Sequence, residues 1–126
     1  MEVRVDRHPA GLVVTQVLGE VDLAAVSALR VCFGEQLRTA RSLVLDFTEA
    51  SYISAAGLSL LLQTSAEAHL RNVPWALAAA RSVLRPIEVT GLDGCLPVYE
   101  DVPHAIDAVL GQCTERSSFV HIGQAG

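Results

Sequence analysis

The chain of 126 residues contains no lysine, so all nine of its basic residues are arginines. It carries 14 acidic residues, which gives a formal net charge of −5 at neutral pH, and the arginines form no basic run. A protein that binds nucleic acid presents clustered positive charge to the phosphate backbone. The composition therefore argues against a nucleic acid as the partner.

Long apolar runs are also missing. No segment approaches the roughly 18 unbroken apolar residues of a membrane-spanning helix, and the first seven residues are too charged for a signal peptide. We therefore expect a cytoplasmic protein with no membrane span. The three cysteines, Cys32, Cys95 and Cys113, show neither a metal-ligand spacing nor a CxxC motif. No phosphate-binding loop or zinc motif occurs, so we expect neither a metal nor a cofactor.

Aromatic residues make up only 5% of the chain, whereas hydrophobic residues of all kinds make up 51%. Alanine, leucine and valine must therefore fill the core, which favours helices that pack closely on a sheet. A single domain of this length buries roughly two-thirds of its unfolded surface, so it needs no disulfide or metal to fold.

Apolar periodicity predicts strands and helices in alternation after an initial β-hairpin. The predicted strands are at 3–5, 12–18, 43–45, 75–79 and 96–99, and the predicted helices at 23–39, 56–71, 83–89 and about 102–110. Leu23 is placed in the buried apolar stripe of the first helix, and Ser82 is predicted to cap the third. This alternation predicts an α/β fold with a mixed, mainly parallel sheet of four to five strands and about four helices. Residues 1–111 form the predicted domain. Residues 112–126 are more polar and are predicted to be a weakly ordered tail.

The most informative stretch is at residues 42–62. A short apolar strand ends at Asp46, a polar connection follows, and Ser-Ala-Ala-Gly at 54–57 opens a helix with leucines at helical spacing. In α/β sheets, ligands and partners dock at the carboxyl ends of strands. A helix start suits an anion, and small residues there let a partner backbone approach closely. An equally good interpretation is that Ser54 caps the helix and the small residues only allow it to pack on the sheet.

A nucleophilic active site finds little support. Residues 53–57 lack the leading glycine of a Gly-x-Ser-x-Gly elbow, and the four histidines are scattered. Asp22 and Asp46 could both lie near strand ends, but we favour a helix cap for Asp22 and a turn former for Asp46. We therefore expect no enzyme. The remaining catalytic hypothesis is a small hydrolase built on Ser54, Asp22 and a distant histidine.

Two motifs in order resemble the STAS domain, specifically the bacterial anti-sigma-factor antagonist family. The first is Gly-Glu-Val-Asp at 19–22, before the first helix. The second is Val-Leu-Asp-Phe at 44–47, which leads to Ser-Ala-Ala-Gly-Leu at 54–58. Thr-Gly-Leu at 90–92 is a weaker third match. Together these motifs place the resemblance over roughly residues 3–111.

The resemblance implies a regulator of transcription that works by partner switching. Members of the family bind an anti-sigma factor with a serine kinase-like ATPase fold, and so release a sigma factor. The kinase can phosphorylate a serine or threonine at the helix start, which breaks the complex. The residues that the resemblance places in the partner-binding surface are Asp22, Ser54, Ala55, Ala56, Gly57, Leu58 and Ser59.

The chain departs from the family at the phosphorylated position, where Ala56 has no hydroxyl. Ser54 stands where the family commonly has aspartate. In the favoured reading, the protein binds its partner without control by phosphorylation. In a second reading, Ser54 or Ser59 substitutes as the acceptor, although each step along a helix turns a side chain by about 100°. In a third, the domain has diverged to bind another protein, a small anionic ligand or a nucleotide.

The sequence also allows a homodimer. The strand near residues 2–7 is predicted to lie at the edge of the sheet and could pair with the same strand of another copy. Its alternating charged side chains argue against this, because charge on an edge strand opposes the addition of a further strand.

Overall fold

The computed structural model describes residues 1–112, in which a six-stranded mixed sheet packs with four helices. The strands are β1 (Glu2–Arg7), β2 (Leu12–Val21), β3 (Ser42–Phe47), β4 (Ala50–Ile53), β5 (Trp75–Ala79) and β6 (Val98–Tyr99). The helices are α1 (Leu23–Thr39), α2 (Ala55–Leu70), α3 (Arg81–Val89) and α4 (residues 102–112). The predicted α/β class is confirmed, and the predicted strands and helices occur in the predicted order, with β4 as a further strand.

The sheet is arranged around β2, which pairs with three other strands. The strand order is β1-β2-β3-β5-β6, with β4 paired to β2 outside this path. β1 runs antiparallel to β2 and every other described pair is parallel. β2 pairs with β3 through Leu12–Gln16 and with β4 through Gly19–Val21. The register shifts at Gly19, whose φ of +90° suits glycine, and this irregularity lets one strand serve two parallel neighbours.

β4 is an addition to the predicted sheet, because the sequence prediction placed residues 50–53 in a polar connection. Only Ala50 and Ile53 of the strand are buried. Two residues, Thr48 and Glu49, separate β4 from β3. A strand of four residues so close to another gives no periodicity that distinguishes it from a turn. Its pairing with β2 raises the sheet to six strands.

Two hydrophobic cores hold the layers together. On one face, α1, α2 and α3 pack on the sheet around Phe33 and Phe47, whose ring centroids are 6.4 Å apart. On the other face, α4 packs through Ala105 and Val109 on strand residues that include Ala76. Small strand residues allow the helices to lie close to the sheet, as the alanine-rich composition indicates.

The predicted tail lies almost wholly outside the described residues. Residues 113–126 are not described, and residue 112 belongs to α4. The predicted boundary at residue 111 therefore stays a prediction. Within residues 1–112, none of the helices combines the length and the hydropathy needed to cross a bilayer.

Candidate functional site

The small-residue stretch lies where β4 meets α2, at the carboxyl edge of the parallel strands. Ser54 is the N-cap of α2, and its Oγ accepts a hydrogen bond from the Gly57 N–H at 3.1 Å. The N–H of Ser54 donates to the carbonyl of Val21, at the end of β2, at 2.9 Å. The predicted capping role is thus present, and the helix start is tied directly to the sheet.

Gly57 is the point at which α2 lies closest to the strands beneath it. A Cβ atom at this position would lie 2.7 Å from Cγ1 of Ile53 and 3.1 Å from Cγ1 of Val21. The first separation is shorter than side-chain contacts allow and the second is tight, and both neighbours are buried branched side chains. The absence of a side chain therefore serves the packing of α2 on the sheet. Leu58, the next residue, is also buried in this core.

The side chains that reach solvent at the start of α2 are small. Ala55 and Ser59, one turn apart, are exposed. Ala56 is half-buried and packs against the hydrophobic core between the sheet and the helices α1, α2 and α3. The first turns of α2 thus present methyl groups, one hydroxyl and the backbone to any partner.

The start of α1 lies next to the start of α2. β2 and β4 are parallel, and Val21 is aligned with Ile53. Asp22 and Ser54 directly follow these two residues, so the structure brings the two motifs to neighbouring strand ends. Asp22 is exposed and is the N-cap of α1, where its Oδ1 accepts from the Ala25 N–H at 3.0 Å.

Two exposed apolar side chains at this edge escaped the sequence prediction. Leu23, expected in the buried stripe of α1, is 74% exposed, and Tyr52 on β4 is about half exposed. Tyr52 is aligned with Glu20 of β2. Contiguous exposed apolar surface is typical of sites that contact another molecule, whereas single exposed apolar side chains are common on any protein. The sequence contained one signal that Leu23 is exposed. It directly follows the cap residue Asp22, and the first residue of a helix can project beyond the edge of the sheet.

Asp46 is the turn former that the sequence indicated. It is 7% exposed, and its Oδ1 accepts from the N–H of Thr48 at 2.9 Å and from the Thr48 hydroxyl at 2.6 Å. Within residues 1–112, neither Ser54 nor Asp22 is hydrogen-bonded to a histidine. His104 instead contacts the half-exposed Asp101, with Nδ1 to Oδ1 at 2.7 Å, and this contact raises the pKa of His104. The described residues do not assemble the hydrolase geometry.

The edge that carries both helix starts is acidic. Glu20, Asp22 and Glu49 are all exposed there, and the N–H of Gly19 donates to the carbonyl of Glu49 at 3.2 Å. Among the described residues, no group of three or more histidine, cysteine, aspartate or glutamate side chains is placed to hold a metal ion. The arrangement is a surface made of two capped helix starts and exposed apolar side chains.

A family model described as the STAS domain matches residues 3–105, which include both helix starts. The chain belongs to the STAS domain family. The resemblance noted from the two motifs is therefore confirmed over most of the chain. A search of curated protein sequences gives no match.

Solved structures of anti-sigma factor antagonists and of a transporter STAS domain share the fold. An anti-sigma factor antagonist from Mycobacterium paratuberculosis has a TM-score of 0.74 and 27% identity, covering 86% of this chain and 92% of that one. The unphosphorylated form of SpoIIAA, a Bacillus anti-sigma factor antagonist, has a TM-score of 0.73 and 20% identity, with coverages of 87% and 97%. The STAS domain of a SulP transporter from Vibrio cholerae has a TM-score of 0.66 and 20% identity, with coverages of 86% and 88%.

Proposed function

We propose that this STAS protein is a cytoplasmic anti-sigma factor antagonist. It binds an anti-sigma factor with a kinase-type ATPase fold and so releases a sigma factor for transcription. The observation that carries this proposal is the adjacency of two capped helix starts, at Asp22 and Ser54, on aligned strand ends. The likeness to a mycobacterial antagonist at 27% identity supports it. The protein acts by protein–protein contact and has no catalytic step of its own.

The proposed docking surface comprises the starts of α1 and α2. Its residues are Asp22, Ser54, Ala55, Ala56, Gly57, Leu58 and Ser59. Asp22 and Ser54 hold the two helix ends in place through their caps, while the exposed Ala55 and Ser59 supply side-chain contacts. Gly57 and Leu58 contribute by setting how closely α2 packs on the sheet. Small exposed residues let the partner's backbone come near the helix.

We also propose that phosphorylation does not control this complex. A phosphate adds a charge of about −1.5 to −2, which would disrupt a surface that a partner contacts closely. Ala56 cannot accept it. Ser54 is half-buried, and its Oγ already accepts the Gly57 N–H, so a kinase would have to break the helix cap to modify it. Ser59 is exposed but lies one turn beyond Ala55, away from the family's position.

A second candidate is a diverged sensor that binds a small anionic ligand or a nucleotide at the α2 start. The likeness to the STAS domain of a SulP transporter shows that the fold also occurs as part of a transporter. The internal cap disfavours this candidate, because Ser54 uses a first-turn N–H that an anion would need. A thermal-shift screen with nucleotides and anionic metabolites separates the two, since a ligand at 100 times its Kd stabilises the fold by about 2.7 kcal/mol.

Binding of the cognate anti-sigma ATPase to two matched variants tests the proposal. Ala55→Glu places a large charged side chain on the docking surface and should weaken binding by at least about tenfold, or about 1.4 kcal/mol. Glutamate is favourable in a first helical turn, so the loss will not come from unfolding. Val89→Glu, at an exposed site on α3, should bind as the unmodified protein does. Equal affinity of all three proteins contradicts the proposed surface, and no binding by any of them contradicts the proposed partner.

A further inference from the structure

A cavity of about 240 Å³ opens at the edge of the sheet opposite the proposed docking surface. It lies where α2 ends, β5 begins and α4 ends, and its lining includes His69, Trp75 and Gln112. α2 has 16 residues and therefore spans about 24 Å between the two edges. The cavity is thus separate from the docking surface, which is built on the start of the same helix.

The inner wall of the cavity is apolar and rigid. Its residues are Ala68, Val73, Pro74, Trp75 and Pro97, all of them buried except the half-buried Pro97. Backbone hydrogen bonds tie this wall to the sheet, because the carbonyl of Pro74 accepts from the Leu43 N–H and that of Pro97 from the Leu77 N–H, each at 2.9 Å. A wall that is already fixed loses little conformational freedom when a ligand binds.

Polar side chains complete the lining. They belong to Ser65, His69, Asn72 and Gln112. Hydroxyl, imidazole and amide groups can each take part in hydrogen bonds as donors or as acceptors. None of the described residues that line the cavity is an aspartate, glutamate, lysine or arginine. The cavity therefore offers directional hydrogen bonds without a permanently charged group.

Asn72 is placed at the cavity by the turn that ends α2. Its φ is +56°, in the left-handed region where glycine is the usual residue after a helix. The N–H of Val73 donates back to the carbonyl of Ala68 at 2.9 Å, and this bond turns the chain from α2 towards β5. Asparagine tolerates the left-handed conformation and adds an amide that glycine would not supply. The amide can therefore be removed without changing the backbone.

We propose that this cavity binds a neutral heteroaromatic molecule of one or two rings. Cavities of about 150 Å³ accommodate benzene, whereas drug-sized ligands occupy about 300–1,000 Å³. A volume of about 240 Å³ lies between these limits and fits a small ring system. Aromatic rings pack favourably against an indole such as that of Trp75.

The polar groups of the lining select the chemistry of the ring. Ring nitrogen atoms can accept hydrogen bonds from Ser65, Asn72 or Gln112, and ring N–H groups can donate to them. A charged ligand would lose its hydration in this cavity without gaining a partner of opposite charge among the described residues. The site thus differs in ligand class from the anion considered for the start of α2.

Binding in this cavity does not depend on the proposed function. The docking surface takes no part in it, because the two sites lie at opposite ends of α2. The protein can therefore hold the ligand and an anti-sigma factor at the same time. A failure to bind either one leaves the other unaffected.

Trp75 provides a direct measurement, because it is the only tryptophan of the chain. Its indole N–H gives a single signal in a proton–nitrogen correlation NMR spectrum. The probe is benzimidazole, which is neutral at neutral pH and has two fused rings, one N–H donor and one nitrogen acceptor. Titrated into the full chain, it should shift the Trp75 signal saturably with a Kd of about 1 mM or lower. Benzoate, an anionic ring, should not shift the signal.

Three variants locate the binding. Ser65→Leu fills part of the cavity and should raise the Kd of benzimidazole at least about tenfold. Asn72→Gly removes one amide and should raise that Kd about three- to tenfold. Ala66→Leu is the matched control, because it makes the same replacement at the adjacent position of α2, which is exposed and outside the cavity lining. It should leave the Kd unchanged.

A Trp75 signal that benzimidazole does not shift, or shifts without saturation, overturns the inference. So does a Kd that Ser65→Leu leaves unchanged or that Ala66→Leu raises equally. If Asn72→Gly binds as the unmodified protein does, or benzoate binds as tightly as benzimidazole, the assigned ligand class is wrong. Asn72→Gly suits the left-handed backbone, so it carries the test even if Ser65→Leu does not fold.

Discussion

Ala56 is the residue on which control of the proposed complex depends. It is the second residue of α2 and is half-buried against the core. Its position lies in the first turn, where free N–H groups and the helix dipole favour a phosphate. The methyl group offers no oxygen to carry one. Under the proposed function, this change of one functional group removes the switch that the resemblance implies, while the Ser54 cap at the helix start is kept.

Ala56→Ser should restore an acceptor. In the presence of ATP and the cognate kinase-type anti-sigma factor, we expect phosphate on residue 56, detected by phosphopeptide mass spectrometry. The phosphorylated variant should bind at least about tenfold more weakly, because a charge of about −1.5 to −2 enters the docking surface. The unmodified protein in the same reaction is the control. An unphosphorylated variant beside a kinase proven active on another substrate rules out this kinase as the partner.

Two glycine substitutions should change stability in opposite directions. Gly57→Ala forces a Cβ against Ile53, and such overpacking typically costs about 1–3 kcal/mol, which outweighs the gain of about 1 kcal/mol in helix propensity. Gly34→Ala in α1 meets no atom within 4 Å and should stabilise by about 0.5–1 kcal/mol. Urea unfolding measures both. A stabilised Gly57→Ala variant would show that the α2 start is not tightly packed on the sheet.

Individual residues also show where sequence reasoning stops. The caps at Asp22 and Ser54 follow from local chemistry, because each side chain bonds to the backbone three residues on. The cap at Asp22 was favoured from the sequence, and the cap at Ser54 was one of two interpretations left open. Leu23 was assigned to the core and is exposed. Helical periodicity specifies which way a side chain points around the axis, but not whether the sheet reaches far enough to cover it.

At the scale of elements, the hairpin, the central strands and the helices have strong periodic patterns, and all were predicted. β4 was missed because its stability comes from pairing with β2, which is distant in sequence. Ser82 shows the same limit. It was expected to cap α3, but its hydroxyl donates to the carbonyl of Ala50 at 2.6 Å and α3 has no side-chain cap. A donor's choice between a local and a distant acceptor cannot be read from the residue type.

The bond from Ser82 ties α3 to β4 and should be measurable. Ser82→Ala leaves the Ala50 carbonyl without this donor and should lower the free energy of unfolding by about 0.5–1.5 kcal/mol. Ser59→Ala removes an exposed hydroxyl from a helix and should change stability by less than about 0.5 kcal/mol. Chemical denaturation compares the two. Equal effects would mean that the α3–β4 bond contributes nothing to the fold.

For the whole molecule, length and composition indicated a single domain whose core is filled by alanine, leucine and valine, which favours helices packed closely on a sheet. Alternation of elements and the two motifs then led to the STAS domain family, which the match over residues 3–105 confirms. The sequence did not predict that Asp22 lies beside Ser54. This placement depends on the pairing of β2, whose first half pairs with β3 and whose end pairs with β4.

The pairing of β2 with both β3 and β4 has an evolutionary consequence. Because Val21 and Ile53 are held in register, the distance between the two helix starts is set by the strand spacing of about 4.8 Å rather than by loop length. Insertions between Phe47 and Ala50 would leave the starts of α1 and α2 at the same separation. A substitution at one of these helix starts, by contrast, changes the surface that a partner contacts together with the other. We therefore expect the two motifs to act as one unit of specificity, so that proteins of this fold with different partners should differ at both.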